Sequence, residues 1–445
     1  MTIARTICLG FIAVILFGTL LLMMPFSTTT GDWGNFITAL FTSTSAVCVT
    51  GLTVVDTGSY FSFWGELSIA GLIQVGGFGY MTTTTFLILL IGKKFDFRQK
   101  IAINESFDRP FLQGSRNLVI SVLATTLSLE LIAIMCLFPI FSNDYGILQG
   151  LWLAIFHTVS AWNNAGFGLF PDNPISYQTS IPVNLVITGL IIFGGIGYQT
   201  IIEFYFWIID KFNLKKHHQY EFSLNFKVVT KTTAILLLFG TVAFYITEYH
   251  NTDTFASLPL GDKILTSWFQ SVTTRTAGFN TVDIGKMTTA GLFISIGLMF
   301  VGASPSGTGG GIKTTTLSIL MNSTRAVLKG QEKVILHQRE VPVSLILKAM
   351  AVVFGSALTV IIMTFILSLL HPDFLFIDIL FEVVSAFATV GLSTGITATL
   401  STFGKLALVL TMYLGRVGVL LFMAAIVGDP RPSRINYPEE NLLIG

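Results

Sequence analysis

The sequence predicts an all-α membrane protein built from four tandem repeats, each running helix, short re-entrant helix, glycine loop, helix. Three observations carry that prediction. The 445-residue chain is 52% hydrophobic and 11% charged, with a mean hydropathy of +0.75, whereas soluble domains carry about 25% charged residues. Its apolar runs are long enough for eight transmembrane helices, since crossing a bilayer takes about 20 apolar residues. Finally, Val49-Thr50-Gly51, Asn164-Ala165-Gly166, Thr276-Ala277-Gly278 and Thr389-Val390-Gly391 recur with their glycines 115, 112 and 113 residues apart. Each glycine precedes a bulky apolar residue and has an aromatic ten positions earlier: Phe41, Phe156, Trp268 and Phe381. Ser-Ala pairs stand six and five residues before three of the glycines (Ser45-Ala46, Ser160-Ala161, Ser385-Ala386), with Val272-Thr273 in the third.

Repeat 1 covers residues 1–92. Its first run, 7–24, lacks a small-residue cleavage site and is kept as a helix of the mature chain, not a signal peptide. Residues 35–48 are too few to span and suit a half-helix; the second span is 67–91. Repeat 2 (93–210) has spans at 118–141 and 183–209. Repeat 3 (211–324) has spans at 228–246 and 288–321, the second broken. Repeat 4 (325–430) has spans at 343–369 and 403–427 with a half-helix at 374–388, and 431–445 is a cytoplasmic tail.

Charge sets the orientation. Lys93, Lys94, Arg98, Lys100, Arg109 and Arg116 lie between repeats one and two, and Lys211, Lys215, Lys216, Lys227 and Lys231 between two and three. Arg325, Lys329, Lys333, Arg339 and Lys348 lie between three and four. The glycine-bearing sides hold Lys263, Arg275, Lys286 and Lys405 alone. The positive-inside rule then makes both termini cytoplasmic and opens the glycine loops outward. Net charge is +1 and no nucleic acid is expected as a partner; Cys8, Cys48 and Cys136 match no metal or disulfide pattern.

Backbone outside a helix at membrane depth must be buried in protein or line a water-filled path. Four such loops around one axis turn rings of carbonyls inward, and those oxygens can replace a cation's hydration shell. Glycine admits the positive φ that this requires. Each half-helix points its partially negative C-terminus at the same place. Close packing of helices by small residues also explains glycines such as Gly76, Gly77, Gly79, Gly194, Gly195 and Gly197, but not an aromatic at one fixed offset.

With these motifs the sequence resembles the Trk/Ktr/HKT superfamily of potassium transporters, and within it the membrane subunits of Gram-positive Ktr systems. The resemblance implies a single-chain, pseudo-tetrameric, potassium-channel-like pore with one pore per subunit, a homodimer in the bacterial plasma membrane, and K+ as substrate. It also implies a cytosolic regulatory ring (KtrA-like) that binds ATP or ADP, this chain holding no cofactor. Gly51, Gly166, Gly278 and Gly391 match the family's filter glycines. Members with serine at the first tend to favour sodium, so Gly51 supports potassium, with Na+ as the second candidate.

The second helix of repeat three is interrupted by Gly302-Ala303-Ser304-Pro305-Ser306-Gly307-Thr308-Gly309-Gly310-Gly311, whose glycines and proline cannot sustain a helix. Gly302 lies 24 residues after Gly278; Gly76, Gly194 and Gly415 lie 25, 28 and 24 after their own filter glycines. The break therefore falls just inside the proposed filter and reads as a gate, a role the resemblance supports. Arg416, beside Gly415, lies at the matching depth with donors for the loop's carbonyls, and the resemblance gives the equivalent arginine that role. Lys313 either acts likewise or snorkels toward the cytoplasm. Arg275 is expected to point away from the axis and pair with a carboxylate.

Enzyme readings fail. Residues 307–314 imitate a phosphate-binding loop, but Ile312 stands where glycine must precede Lys313 and no strand leads in. Ser304 and Ser306 lack a Gly-x-Ser-x-Gly frame and an intramembrane base. A sodium- or proton-coupled symporter using the broken helix remains the alternative. The nearest proton-relay candidates, Glu130 and Glu203, fall in different repeats.

Overall fold

The computed structural model describes residues 3–78, 115–170, 176–212 and 221–428. Lys93, Lys94, Arg98, Lys100, Arg109, Lys215, Lys216, the 92/93 boundary, the far part of the run 67–91 and the tail 431–445 lie outside the described residues.

Four times over, a long helix is followed by a short one, a glycine segment and a second helix. The first group is α1 (Ile3–Met23), α2 (Phe36–Val47), a one-turn α3 (Thr57–Tyr60) and α4 (Phe63–Gly77). Next come α5 (Ser115–Tyr145), α6 (Ile147–Trp162), α7 (Ile181–Ile196) and α8 (Tyr198–Phe212). The third group is α9 (Leu224–Glu248), α10 (Leu260–Thr273), α11 (Thr289–Phe300) and α12 (Thr314–Leu328). A hairpin of β1 (Ile335–Leu336) and β2 (Arg339–Glu340) leads into α13 (Val343–Leu370), α14 (Phe376–Phe387), α15 (Thr402–Val417) and α16 (Val419–Val427).

α1, α5, α9 and α13 are the helices long and apolar enough to cross a membrane among the described residues. The 12 residues of α2 rise only about 18 Å, short of the ~30 Å hydrocarbon core. Serine or threonine caps open three of the second helices: Ser62 accepts from Gly65 N, Thr288 from Gly291 N and Ser401 from Gly404 N.

The second helices of the second and fourth groups differ from expectation, while that of the third is broken where its glycine run predicts. None of those described in full is one continuous span. α7 and α8 meet at a 103° bend, α15 and α16 at a 93° bend, and α11 and α12 are parted by the loop 301–313. With each bent pair taken as one span the described residues hold up to six spans, the expected run 67–91 lying only partly within them. The cause of the bends is local: Gly197 (φ +94°) and Gly418 (φ +87°) adopt backbone angles that a side chain disfavours. Their spacing from Gly194 and Gly415 looks like helix-packing glycine in the sequence.

Packing between groups runs in one cyclic order. α4 packs on α6, α7 on α10, α11 on α14, and α15 on α2, so each second helix leans on the next short helix and the last returns to the first. Tyr413 Oη donates to Cys8 O at 3.0 Å across that closure.

Candidate functional site

The four short helices end on the glycine segments, and their last turns hold the segments by backbone hydrogen bonds. Thr50 N, Ala165 N and Val390 N each donate at 2.8 Å to Ser45 O, Ser160 O and Ser385 O. The same serines' hydroxyls accept from Gly51 N (3.0 Å) and Gly391 N (3.1 Å) in the first and fourth segments. This gives the Ser-Ala pairs of the motif a physical role. In the third segment Ala277 N donates instead to Thr273 O at 3.0 Å.

That segment is displaced by one residue from the sequence pattern. Trp268 is only half-buried and donates to Thr188 Oγ1, while Phe269, nine residues before Gly278, is as buried as Phe41, Phe156 and Phe381. Likewise Ser271 Oγ donates to Leu237 O as Ser43 Oγ donates to Ile15 O, one position nearer its glycine.

Backbone handedness is the same in all four segments. Gly51, Gly166, Gly278 and Gly391 have φ of +90°, +70°, +78° and +92°. Two residues earlier Val49, Asn164, Thr276 and Thr389 have φ of +55°, +57°, +70° and +52°, while the residue between does not. An alternation of this kind turns successive carbonyls to one side, where an extended strand would alternate them. Positive φ on β-branched residues is costly and is retained only where surrounding structure enforces it. Positive φ is legible in the sequence at the glycines but not at the residues two before.

The segments close on one another. A Cβ on Gly51 would overlap Ala165 O, one on Gly166 would come within 2.7 Å of Ala277 O, one on Gly278 would overlap Val390 O, and one on Gly391 would overlap Thr50 O. Each glycine thus stands against the carbonyl preceding the next glycine, and the fourth meets the first.

Against the start of these segments lies the loop 301–313. It doubles back on itself, with Gly302 N donating to Ile312 O (2.9 Å) and Ala303 N to Gly310 O (3.3 Å). Its carbonyls meet three cations: Arg275 Nη2 donates to Gly302 O (3.0 Å), Lys313 Nζ to Gly309 O (2.8 Å) and Arg416 Nη1 to Thr308 O. Arg416 Nη2 also donates to Gly76 O, so one side chain ties the loop to the first group. Gly310 N donates to Thr389 Oγ1 at 2.9 Å, and a Cβ on Gly309 would overlap Thr276 Oγ1. The bend after α7 supplies the rest: Ser304 N donates to Gly195 O, Thr308 N to Gly194 O, and Tyr198 N to Ser306 O. Two helix breaks therefore satisfy each other's freed backbone groups. Ser304 Oγ accepts from Thr314 Oγ1 at 2.9 Å, and Pro305, Ser306 and Gly307 sit at the turn beside Gly197.

One expectation about a cation changes. Arg275 reaches no carboxylate among the described residues; its guanidinium turns to Gly302 O, an acceptor released by the helix break. Of the two readings open for Lys313, the contact matches the one in which it meets a loop carbonyl: it is half-buried and donates to Gly309 O. Gly76, Gly194 and Gly415 each stand on the carbonyl four residues before their segment's glycine (Val47 O, Trp162 O, Phe387 O), whereas Gly302 meets Gly310 O of its own loop.

Glu382 and His157, both nine residues before a segment glycine, were not singled out from sequence. Buried Glu382 accepts from Ser393 Oγ, Thr394 N (3.1 Å) and Thr397 Oγ1 (2.8 Å). His157 Nε2 accepts from Leu169 N (3.3 Å), which leaves its proton on Nδ1, donated to Leu153 O (2.8 Å). Both brace the chain leaving the ring. The relay candidates separate: Glu203 accepts from Ser223 N and Oγ at the start of α9, and Glu130 lies buried within α5.

Comparison with known proteins agrees with this architecture. A family model described as TrkH, a cation transport protein, matches residues 7–431. The Ktr system potassium uptake protein B of Bacillus subtilis is 38% identical over 442 residues, spanning 99% of this chain and 96% of the relative. Its namesake in Vibrio alginolyticus is 36% identical over 99% of this chain and 94% of its own length. The potassium/sodium uptake protein NtpJ of Enterococcus hirae is 35% identical over 99% and 97%. The crystal structure of the potassium transporter TrkH from Vibrio parahaemolyticus superposes with a TM-score of 0.70, covering 95% of this chain and 85% of that one at 16% identity. A full-length family match, relatives above one-third identity and a shared fold lead to one conclusion: the chain belongs to the TrkH family of cation transport proteins, transporters and not enzymes.

Proposed function

We propose that this chain takes up potassium across the bacterial plasma membrane through one ion site formed by residues 49–51, 164–166, 276–278 and 389–391, gated by the loop at 302–313. The cyclic closure of the four glycine segments carries this reading, because carbonyls turned to one side around one axis are what a dehydrated potassium ion requires. Coordination falls to backbone oxygens: among the described residues no three His, Cys, Asp or Glu side chains gather. The names of the relatives support potassium as cargo, and that of the enterococcal protein keeps sodium as a second cargo or coupled ion. Proton coupling is disfavoured, since Glu203 is engaged at a helix cap.

The loop is the gate in this reading because it lies against the inner start of the segments, held by Arg275, Lys313 and Arg416. Basic residues at the ends of helices on that side (Lys211, Lys227, Arg325, Lys329) support cytoplasmic termini. They also form a docking face for a cytosolic nucleotide-binding ring, which the word "system" in two relatives' names favours. A homodimer is proposed with it.

Ion flux into proteoliposomes tests the proposal. Gly391→Ser introduces a side chain against Thr50 O at φ +92° and is expected to reduce the potassium-over-sodium preference about ten-fold, the scale of a strained left-handed residue. Wild-type preference in both Gly391→Ser and Gly51→Ser would remove the ring as the selecting element. Adding a purified cytosolic ring with ATP or ADP should change the rate; full nucleotide response without it would remove the regulator.

A further inference from the structure

Between α9 and α12 runs a groove of about 610 Å³, within the ~300–1,000 Å³ of small-molecule pockets. Its lining is graded. On α9, Lys231, Ile235 and Phe239 follow at four-residue steps and so share a face. On α12, Leu317, Met321 and Arg325 do the same in the opposite sense. The start of α9 meets the end of α12, where Val228 and Ala326 share a buried cluster with Val334 and Leu336 of the hairpin. Both ladders therefore put their cation at one mouth and their apolar residues deeper, and His337 adds a third basic group at that mouth. Lys231, Arg325 and His337 are exposed, and none belongs to an ion pair among the described residues.

In a bilayer an outward apolar groove is covered by acyl chains, and a basic mouth selects the head group that enters. We propose that this groove binds one anionic phospholipid, its phosphate on Lys231, Arg325 and His337 and one acyl chain along Ile235, Phe239 and Met321. Charge complementarity and the depth gradient together fix the occupant: a free anion would leave the apolar length uncovered, and a neutral lipid would leave the cations unmatched. α12 starts directly after the loop 301–313, so an occupant that holds α12 against α9 restrains one anchor of that loop. The leaflet, though not the site, rests on the orientation proposed above.

Binding of fluorescent phosphatidylglycerol to the purified full chain in detergent tests this. Lys231→Gln with Arg325→Gln should weaken it about 30-fold, the effect of two basic residues near a membrane surface. Lys231→Arg with Arg325→Lys should keep it, and Lys286→Gln, an exposed charge in the loop before α11, should not change it. Phosphatidylcholine should not compete, and neither should inorganic phosphate. Unchanged binding in the Gln pair, equal binding of phosphatidylcholine, or displacement by inorganic phosphate alone would each overturn the proposal. So would a changed oligomeric mass in the Gln pair, because a second copy of the chain would then be the occupant. Labelling of Arg325→Cys from outside the cell would overturn the orientation while leaving the binding result to stand.

Discussion

At the residue scale, side chains around the glycine segments act mainly by fixing backbone. Glu382 is fully buried and takes three hydrogen bonds from residues 393–397, so its removal leaves buried donors without acceptors. Glu382→Ala should lower stability by about 1–3 kcal/mol, read as a lower thermal midpoint of the purified protein, and should blur ion preference; an unchanged midpoint would contradict the bracing role. Arg416 spans Thr308 O and Gly76 O. A charge-assisted bond contributes ~1.5–3 kcal/mol, so Arg416→Ala should shift the loop toward release by about ten-fold or more. The expected outcome is a higher flux with ion preference retained. Lost ion preference with unchanged rate would make Arg416 part of the selecting site instead.

At the element scale, the loop 301–313 and the bend between α7 and α8 form one unit, because each supplies the acceptors and donors that the other lacks. Gly197 is where the two touch: φ is +94°, and a Cβ there would overlap Pro305 O. Gly197→Ala should cost about 1–3 kcal/mol of backbone strain and displace the loop, changing transport rate but not ion preference. A rate equal to wild type would uncouple the bend from the loop. Much of this level was readable beforehand. The apolar runs marked α1, α5, α9 and α13 to within a few residues at most ends, and the glycine-rich break was evident from composition. The bends were not, because Gly-x-x-Gly serves close packing and helix breaking equally, and only backbone angles separate the two. Phe269 was not legible because counting back from Gly278 assumes one spacing in all four groups, whereas the buried aromatic of the third short helix stands nine residues before its glycine and not ten. The partner of Arg275 was not legible either, since the carbonyl it meets is freed by a break whose path depends on a different repeat.

At the scale of the whole molecule, four sequence segments separated by more than a hundred residues meet in one ring. Each second helix packs on the next short helix, and the last packs on the first, so no segment can be lost without opening the circle. Sequence periodicity announced four like units, while their cyclic contact is a consequence of packing that spacing alone does not dictate. The most direct test of a single shared ion site is rubidium, a heavy stand-in for potassium, located by anomalous diffraction in crystals of the intact protein. The account predicts a peak on the axis of the ring, ringed by carbonyl oxygens from all four of residues 49–51, 164–166, 276–278 and 389–391. A well-occupied rubidium site confined to the loop 301–313, with none among the glycine segments, would contradict it.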